Sequence, residues 1–184
     1  TNAELKEAAA SHGRGGYIAA QRVSLTEMDG KTQVSFTNPY YMAKAYGIKS
    51  NLIATANAFK KALGVVKTFG PGRGLSTRKL KSYRYSWGME EFDEPYDLKI
   101  SDTNNEDLLA TIEKNLDAKV AGATKVYRID IPGTDQTLFG VSMKSADGSS
   151  NFQDEGYLMN IIDHKPLRST AHLPYEILVV GDTA

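Results

Sequence analysis

The sequence predicts an α+β protein with antiparallel sheets, and two hairpin signals with helical segments around them carry that prediction. Between Thr124 and Lys144, two runs of alternating apolar and polar residues flank a Pro-Gly-Thr-Asp insert. A period of two gives a strand one apolar face and one wet face, and the insert has turn chemistry. Asp29-Gly30 is a second hairpin signal between strand-like runs. Each sheet is expected to carry helices on one face.

The first elements are predicted from helix caps and turn residues. Asn2 is placed to cap a short helix, and Gly15-Gly16 is expected to open an extended run that leads to the first hairpin. The returning strand ends at Thr37-Asn38-Pro39, which also begins a short helix over 40–46, because proline fits the first helical position.

A further helix follows from apolar residues at helical spacing, with Ser50 or Asn51 as its cap and Gly64 at its end. The residues that share its face are Leu52, Ala56, Phe59 and Leu63. Downstream we predict a short strand over 65–69, a loop over 70–74, and a short helix capped by Ser76 or Thr77.

The second part of the chain begins after an acidic, irregular stretch that ends near Tyr96. We interpret this stretch as a linker. Leu98 and Ile100 suggest a brief strand, and Thr103-x-x-Glu106 is a capping box before the clearest amphipathic stripe of the chain. That stripe consists of Leu108, Leu109, Ile112 and Leu116. After the hairpin, 157–163 fits either helix or strand, and the apolar run over 177–180 predicts a strand covered on both faces.

The order of these elements suggests two similar halves, 1–92 and 93–184, which is also compatible with one closely packed domain. Each half contains a hairpin followed by a helix-like segment. Ser11-His12 before Tyr17-Ile18 is echoed by Ala171-His172 before Tyr175. An internal duplication would explain both features, and chance explains the short echo nearly as well.

Composition limits the classes of function. The 184 residues have 41% hydrophobic and 24% charged residues, and the formal net charge is zero. This balance argues against nucleic acid as a partner and leaves a homodimer open.

The absence of cysteine excludes disulfides and thiolate sites. No apolar run is long enough to span a bilayer, so no membrane partner is predicted. The start at Thr1 gives a slight preference for an exported protein whose signal peptide was removed, although a fragment boundary would explain it as well.

The most unusual local feature is a basic stretch over 60–84 that contains no acidic residue. Within it, a glycine-rich loop runs into a predicted helix N-terminus, where backbone N–H groups and guanidinium groups favour anions. The candidate ligands of a small anion are Gly72, Arg73, Gly74, Ser76, Thr77 and Arg78. The spacing matches neither a P-loop nor a dinucleotide motif. A solvated basic face that pairs with downstream acidic residues is the simpler interpretation.

The three histidines form a second candidate site. His12, His164 and His172, with nearby carboxylates, have the donor chemistry for zinc or iron. If the two halves pack together, His12 and His172 would approach each other at equivalent strand starts. The gap between His164 and His172 matches no known metal spacing, and ordinary surface histidines are the simpler interpretation. No catalytic motif is present, including G-x-S-x-G, and no cofactor is predicted.

Two segments resemble a small bacterial family of uncharacterised proteins, domain of unknown function family 302. Asp29 to Pro39, followed by Met42-Ala43, resembles that family's strand, D-G-K turn, strand and helix. Leu173 to Val180 is similar to its Leu-Pro strand, except that Tyr175 stands where the family often has cysteine. The resemblance implies a small α+β fold and no particular activity, because none is established for the family.

These observations lead to three hypotheses about function. The first is a bacterial binding or accessory module with a ligand or dimer surface between two α+β halves. The second is an enzyme or sensor that binds a phosphate- or carboxylate-bearing molecule at the basic loop over 70–76. The third is histidine-based binding of a metal or haem. Whether the protein is an enzyme stays open at this point.

Overall fold

The computed structural model describes residues 1–70, 74–84, 86–91, 94–99, 103–145 and 151–184. The helices in these ranges are α1 Ala3–Ala10, α2 Pro39–Ala45, α3 Ile53–Leu63, α4 Thr77–Lys81, α5 Asn105–Asp117 and α6 Glu155–Ile162. The strands are β1 Val23–Met28, β2 Lys31–Phe36, β3 Ala123–Asp130, β4 Gln136–Met143 and β5 Tyr175–Val180. They form an antiparallel β1-β2 hairpin and an antiparallel sheet in the order β3-β4-β5. The predicted α+β class and both hairpins are confirmed.

The three-stranded sheet is covered on both faces. On one face, Phe139 and Val179 pack with Leu108 and Leu116 of α5. On the other face, Leu138 and the neighbouring strands pack against α1, α2 and a 3-10 turn. Residues 136–141 of the central strand β4 are all buried, so neither face of the sheet is exposed to solvent along this strand. This differs from the expectation of helices on one face only.

The glycine pair Gly15-Gly16 does not open a strand. It begins a 3-10 turn, Gly15–Ile18, that lies between α1 and the three-stranded sheet. A Cβ atom on Gly15 would lie 2.0 Å from the carbonyl oxygen of Ala9, and one on Gly16 would lie 2.2 Å from a Leu178 methyl group. The glycines therefore serve close packing, and the prediction that they open the extended run is wrong, because the first strand begins at Val23.

Helix α3 is capped from another helix. The residue before it, Leu52, adopts a left-handed conformation and offers no side-chain cap, and neither of the expected residues 50 and 51 is the N-cap. The Ser50 hydroxyl accepts from the backbone N–H of Leu52. Instead, the carboxylate of Glu4 in α1 accepts hydrogen bonds from the backbone N–H groups of Ala54 and Thr55 and from the Thr55 hydroxyl. A carboxylate at a helix N-terminus satisfies orphan donors and complements the helix dipole.

Other local predictions have mixed outcomes. Asn2, Asn38 and Ser76 cap α1, α2 and α4 as expected, and Gly64 ends α3. Helix α5 begins one residue later than predicted, because Asn104 and not Thr103 is its N-cap. The undecided segment 157–163 lies mainly in α6. No strand forms over 65–69, and next to Leu98 there is one isolated bridge between Lys99 and Thr183. Ile100 lies outside the described residues.

The internal duplication stays a hypothesis. The two sheets differ in strand number, and the proposed boundary at 92–93 lies outside the described ranges. A single apolar cluster joins Leu5 and Met42 with Leu138 and Leu178, so residues before and after that boundary share a core. None of the helices described here combines the length and apolar character needed to cross a bilayer.

Candidate functional site

A groove of about 240 Å³ lies where the N-terminal turn meets the three-stranded sheet. We call it the inter-half groove, because both parts of the chain line it. Its principal lining residues are Arg14, Tyr17, Tyr96, Asp97, Leu178 and Val180. The groove therefore combines two tyrosines, an apolar wall from β5 and a pair of opposite charges.

An ion pair crosses this groove. The Arg14 guanidinium donates to both carboxylate oxygens of Asp97 at 2.9 and 3.2 Å. Both side chains are partly exposed, so the pair contributes little to stability. The segment that carries Asp97 is held more firmly by backbone hydrogen bonds between Leu98 and Ala184, at 2.6 and 2.9 Å. The pair neutralises its own charges and fixes one wall of the groove.

Tyr17 connects the groove to a second, buried set of polar groups. Its ring stacks on Tyr46, with 5.3 Å between ring centroids and 18° between ring planes. Near these rings, Arg22 forms an ion pair of 2.5 Å with Glu176, and the Tyr127 hydroxyl donates to the other Glu176 oxygen at 2.8 Å. We call Arg22, Tyr127 and Glu176 the buried triad. Only 12% of the Arg22 side chain and 7% of the Glu176 side chain are exposed.

The triad depends on strand register. Tyr127 of β3 lies opposite Gly140 of β4, which in turn lies opposite Glu176 of β5. A Cβ atom at Gly140 would lie 2.4 Å from the Tyr127 ring, so the ring can lie across the central strand only because glycine leaves room. This crossing brings the hydroxyl to a carboxylate two strands away.

Burial controls the protonation of these groups. It raises the pKa of Glu176, against the opposing effects of Arg22 and of the Tyr127 hydrogen bond. Burial and the charge of Glu176 also raise the pKa of Tyr17, Tyr46 and Tyr127. The tyrosine hydroxyls stay protonated near neutral pH and act as hydrogen-bonding groups. The arrangement supplies ring surfaces and polar contacts, and it contains no nucleophile with an adjacent base.

The basic loop predicted as an anion site is described only in part, because Gly72 and Arg73 lie outside the described residues. Gly74, Thr77 and Arg78 are exposed. The Ser76 hydroxyl accepts from the backbone N–H of Lys79 and is therefore engaged as a helix cap. Helix α4 behind it has five residues. These contacts account for Ser76 without a ligand.

The three histidines lie in different local settings. His12 follows α1, where its Nδ1 accepts from the Arg14 N–H, and it precedes a 3-10 turn instead of a strand start. His164 follows α6, with Nδ1 3.3 Å from the Ile161 carbonyl oxygen. His172 ends a 3-10 turn, and its carbonyl accepts from Arg22 at 2.5 Å. Among the described residues, no group of three or more His, Asp or Glu side chains is arranged to hold a metal ion.

None of the groove and triad residues is among the site residues predicted from the sequence. The contacts of the triad join residues 49 and 154 positions apart, and no rule of sequence spacing predicts such contacts. One signal was available: Glu176 is a carboxylate beside an apolar run predicted to be covered on both faces, and a buried carboxylate requires a partner.

Comparison of the chain with models of protein families, with curated proteins and with solved structures gives no match in any of the three. The resemblance to domain of unknown function family 302 therefore stays a prediction from two short segments.

Proposed function

We propose that this protein is a binding module that holds a small, uncharged, ring-shaped molecule with polar substituents in the inter-half groove. The observation that carries the proposal is the position of Tyr17, whose ring lines the groove and stacks on Tyr46. A ligand that contacts this ring would therefore meet a side chain that stacking on Tyr46 already holds in place. The proposal assigns no catalytic step.

Size and charge define the ligand class. A volume of about 240 Å³ corresponds to about eight water molecules at ~30 Å³ each, which suits one ring with a few substituents. Arg14 is paired with Asp97, and Arg22 with Glu176, so both ion pairs are internally neutral. A charged ligand would therefore find no unpaired opposite charge in these two ion pairs. Tyr17 and Tyr96 provide ring faces for stacking.

Ligand-observed NMR is the direct test. The panel contains uncharged single-ring compounds, namely uracil, nicotinamide and glucose, together with phosphate and sulfate. Tyr96 is 80% exposed, so Tyr96→Ala removes a ring from the groove with little effect on folding. A stacking contribution of about 0.5–1.5 kcal/mol predicts roughly two- to twelvefold weaker binding of the ring compound.

Tyr157→Ala is the matched control, because Tyr157 is a partly exposed tyrosine of α6. It should leave binding unchanged. A response to ring compounds that survives Tyr96→Ala would remove the groove as the site. A response to phosphate or sulfate alone that is lost in Arg78→Ala would favour the basic loop instead.

A further inference from the structure

The β1-β2 hairpin presents its apolar face to solvent. Val23, Leu25 and Val34 point outward, with 46%, 73% and 49% of their surface exposed. The register pairs Leu25 with Val34 and Val23 with Phe36, so these side chains form one continuous face. An amphipathic hairpin normally buries this face, and the reverse arrangement is typical of a sheet that contacts another molecule.

The inward face of the hairpin is polar and well paired. The Ser24 and Ser35 hydroxyls are 2.7 Å apart. The amide of Gln33 donates to the carbonyl of Arg168 at 2.8 Å and accepts from its N–H at 2.9 Å. The Thr26 hydroxyl lies 2.5 Å from that of Thr170. A one-residue shift in register would exchange the faces and break these contacts, so the outward direction of the apolar face is specified.

The exposed face continues onto α3 and has opposite charges at its two ends. Phe36 stacks on Phe59 of α3, with 4.8 Å between centroids and 16° between ring planes. Lys60 and Lys61 follow Phe59 and are exposed. At the other end, near the hairpin turn, Glu27 is exposed. Residues 23, 25, 27, 32, 34 and 36 with Phe59 and Lys60 form the outer hairpin face.

We propose that the outer hairpin face binds the same face of a second copy of this chain. The two hairpins would pack face to face with their strands antiparallel across a two-fold axis. Leu25 and Val34 would then meet their counterparts at the axis, and Glu27 of each copy would lie toward Lys60 of the other. A turn-to-turn arrangement would place both Glu27 carboxylates together, which the charge pattern disfavours.

The size of the face predicts a weak dimer. Six strand residues at ~3.4 Å, over a hairpin about 10 Å wide, give a footprint of about 200 Å² per copy, to which Phe59 and Lys60 add a smaller area. A standard stable interface buries about 800 Å² per partner. The dimer should therefore be weak and form reversibly.

Sedimentation velocity of the whole chain, from micromolar to near-millimolar concentration, tests this interface. The wild type should shift from monomer to dimer, and Leu25→Asp should weaken association at least tenfold. Ile162→Asp is the matched control, because Ile162 is an exposed aliphatic residue of α6, and it should not change the dissociation constant. Circular dichroism of each variant excludes loss of folding as the cause.

A charge exchange tests the arrangement of the two copies. Glu27→Lys and Lys60→Glu should each weaken the dimer, and the double variant should restore it. A chain that stays monomeric throughout would overturn the proposal, as would a dimer that Leu25→Asp leaves unchanged. Single variants that weaken association without restoration in the double variant would overturn the antiparallel arrangement.

Discussion

At Gly140, one added methyl group should displace the Tyr127 ring and break its hydrogen bond. In Gly140→Ala the new Cβ atom would lie 2.4 Å from two ring atoms of Tyr127 and 2.8 Å from a third, whereas an ordinary contact is 3.4 to 4 Å. The ring must move by about an ångström to relieve this overlap. That movement breaks the hydrogen bond of 2.8 Å from its hydroxyl to Glu176.

Three contributions set the expected loss of stability. Overpacking in a well-packed interior costs about 1–3 kcal/mol. Loss of a hydrogen bond to a charged group costs about 1.5–3 kcal/mol. Alanine is favoured over glycine within a strand by about 0.5–1 kcal/mol, which opposes both. We therefore expect the free energy of unfolding to fall by about 2–5 kcal/mol, out of the 5–15 kcal/mol typical of a folded domain.

Urea unfolding followed by circular dichroism measures this change. With a slope of about 2 kcal/mol per molar urea, a loss of 2 kcal/mol lowers the midpoint by about 1 M. Gly13→Ala is the control, because a Cβ atom there would meet nothing within 4 Å. It should leave the midpoint within a few tenths molar of the wild type.

A double-mutant cycle isolates the ring as the cause. When Tyr127→Ala removes the ring first, Gly140→Ala should be neutral or slightly stabilising. The two substitutions should therefore show a coupling energy of at least about 2 kcal/mol. If Gly140→Ala costs the same free energy with and without the ring, the steric explanation is wrong.

Three further predictions concern α1, the N-terminal turn and α5. Burial acts to raise the pKa of Glu4, but its hydrogen bonds to α3 outweigh burial, and the pKa lies below its ordinary 4.5. The carboxylate thus contributes stability above about pH 4.5 that is lost as pH falls through the lower folded pKa. Glu4→Gln should melt below wild type at neutral pH and match it in acid, whereas the exposed Glu7→Gln should match it throughout. Gly15→Ala places Cβ 2.0 Å from the backbone of Ala9, and it should lower the free energy of unfolding in urea by about 3 kcal/mol or more. A loss under about 1 kcal/mol would contradict the close packing. Leu108→Ala opens a cavity under α5 and should cost about 2–5 kcal/mol by the same measurement, and a neutral result would mean that α5 is not packed as described.

Local signals explain what the sequence predicted well. Helix α2 begins at Asn38 and Pro39, and α3 ends at Gly64. In both cases the hydrogen bonds that set the helix end lie within one helical turn. The hairpin over 123–143 likewise follows from alternation and a turn between neighbouring runs. Such elements are predictable because the interacting groups are close in the chain.

Long-range pairing explains what the sequence prediction missed. Gly15-Gly16 has the composition of a turn or strand boundary, and only the positions of Ala9 and Leu178 require glycine there for close packing. The hairpin face that points outward is decided by the polar partners of Gln33 and Thr26, which lie more than 130 residues away in the chain. Alternation defines two faces and does not say which one is buried.

The sequence alone determined the α+β class, the hairpins, the N-caps of α1, α2 and α4, and the absence of disulfide chemistry. Tertiary structure alone decided which helices cover the two faces of the three-stranded sheet, that Glu176 is paired with Arg22 and Tyr127, and that a groove opens beside Tyr17. The physical reason is the distance along the chain between the groups that interact. Backbone propensities and caps act over a few residues, whereas burial and ion pairing depend on which distant segments the folded chain brings together.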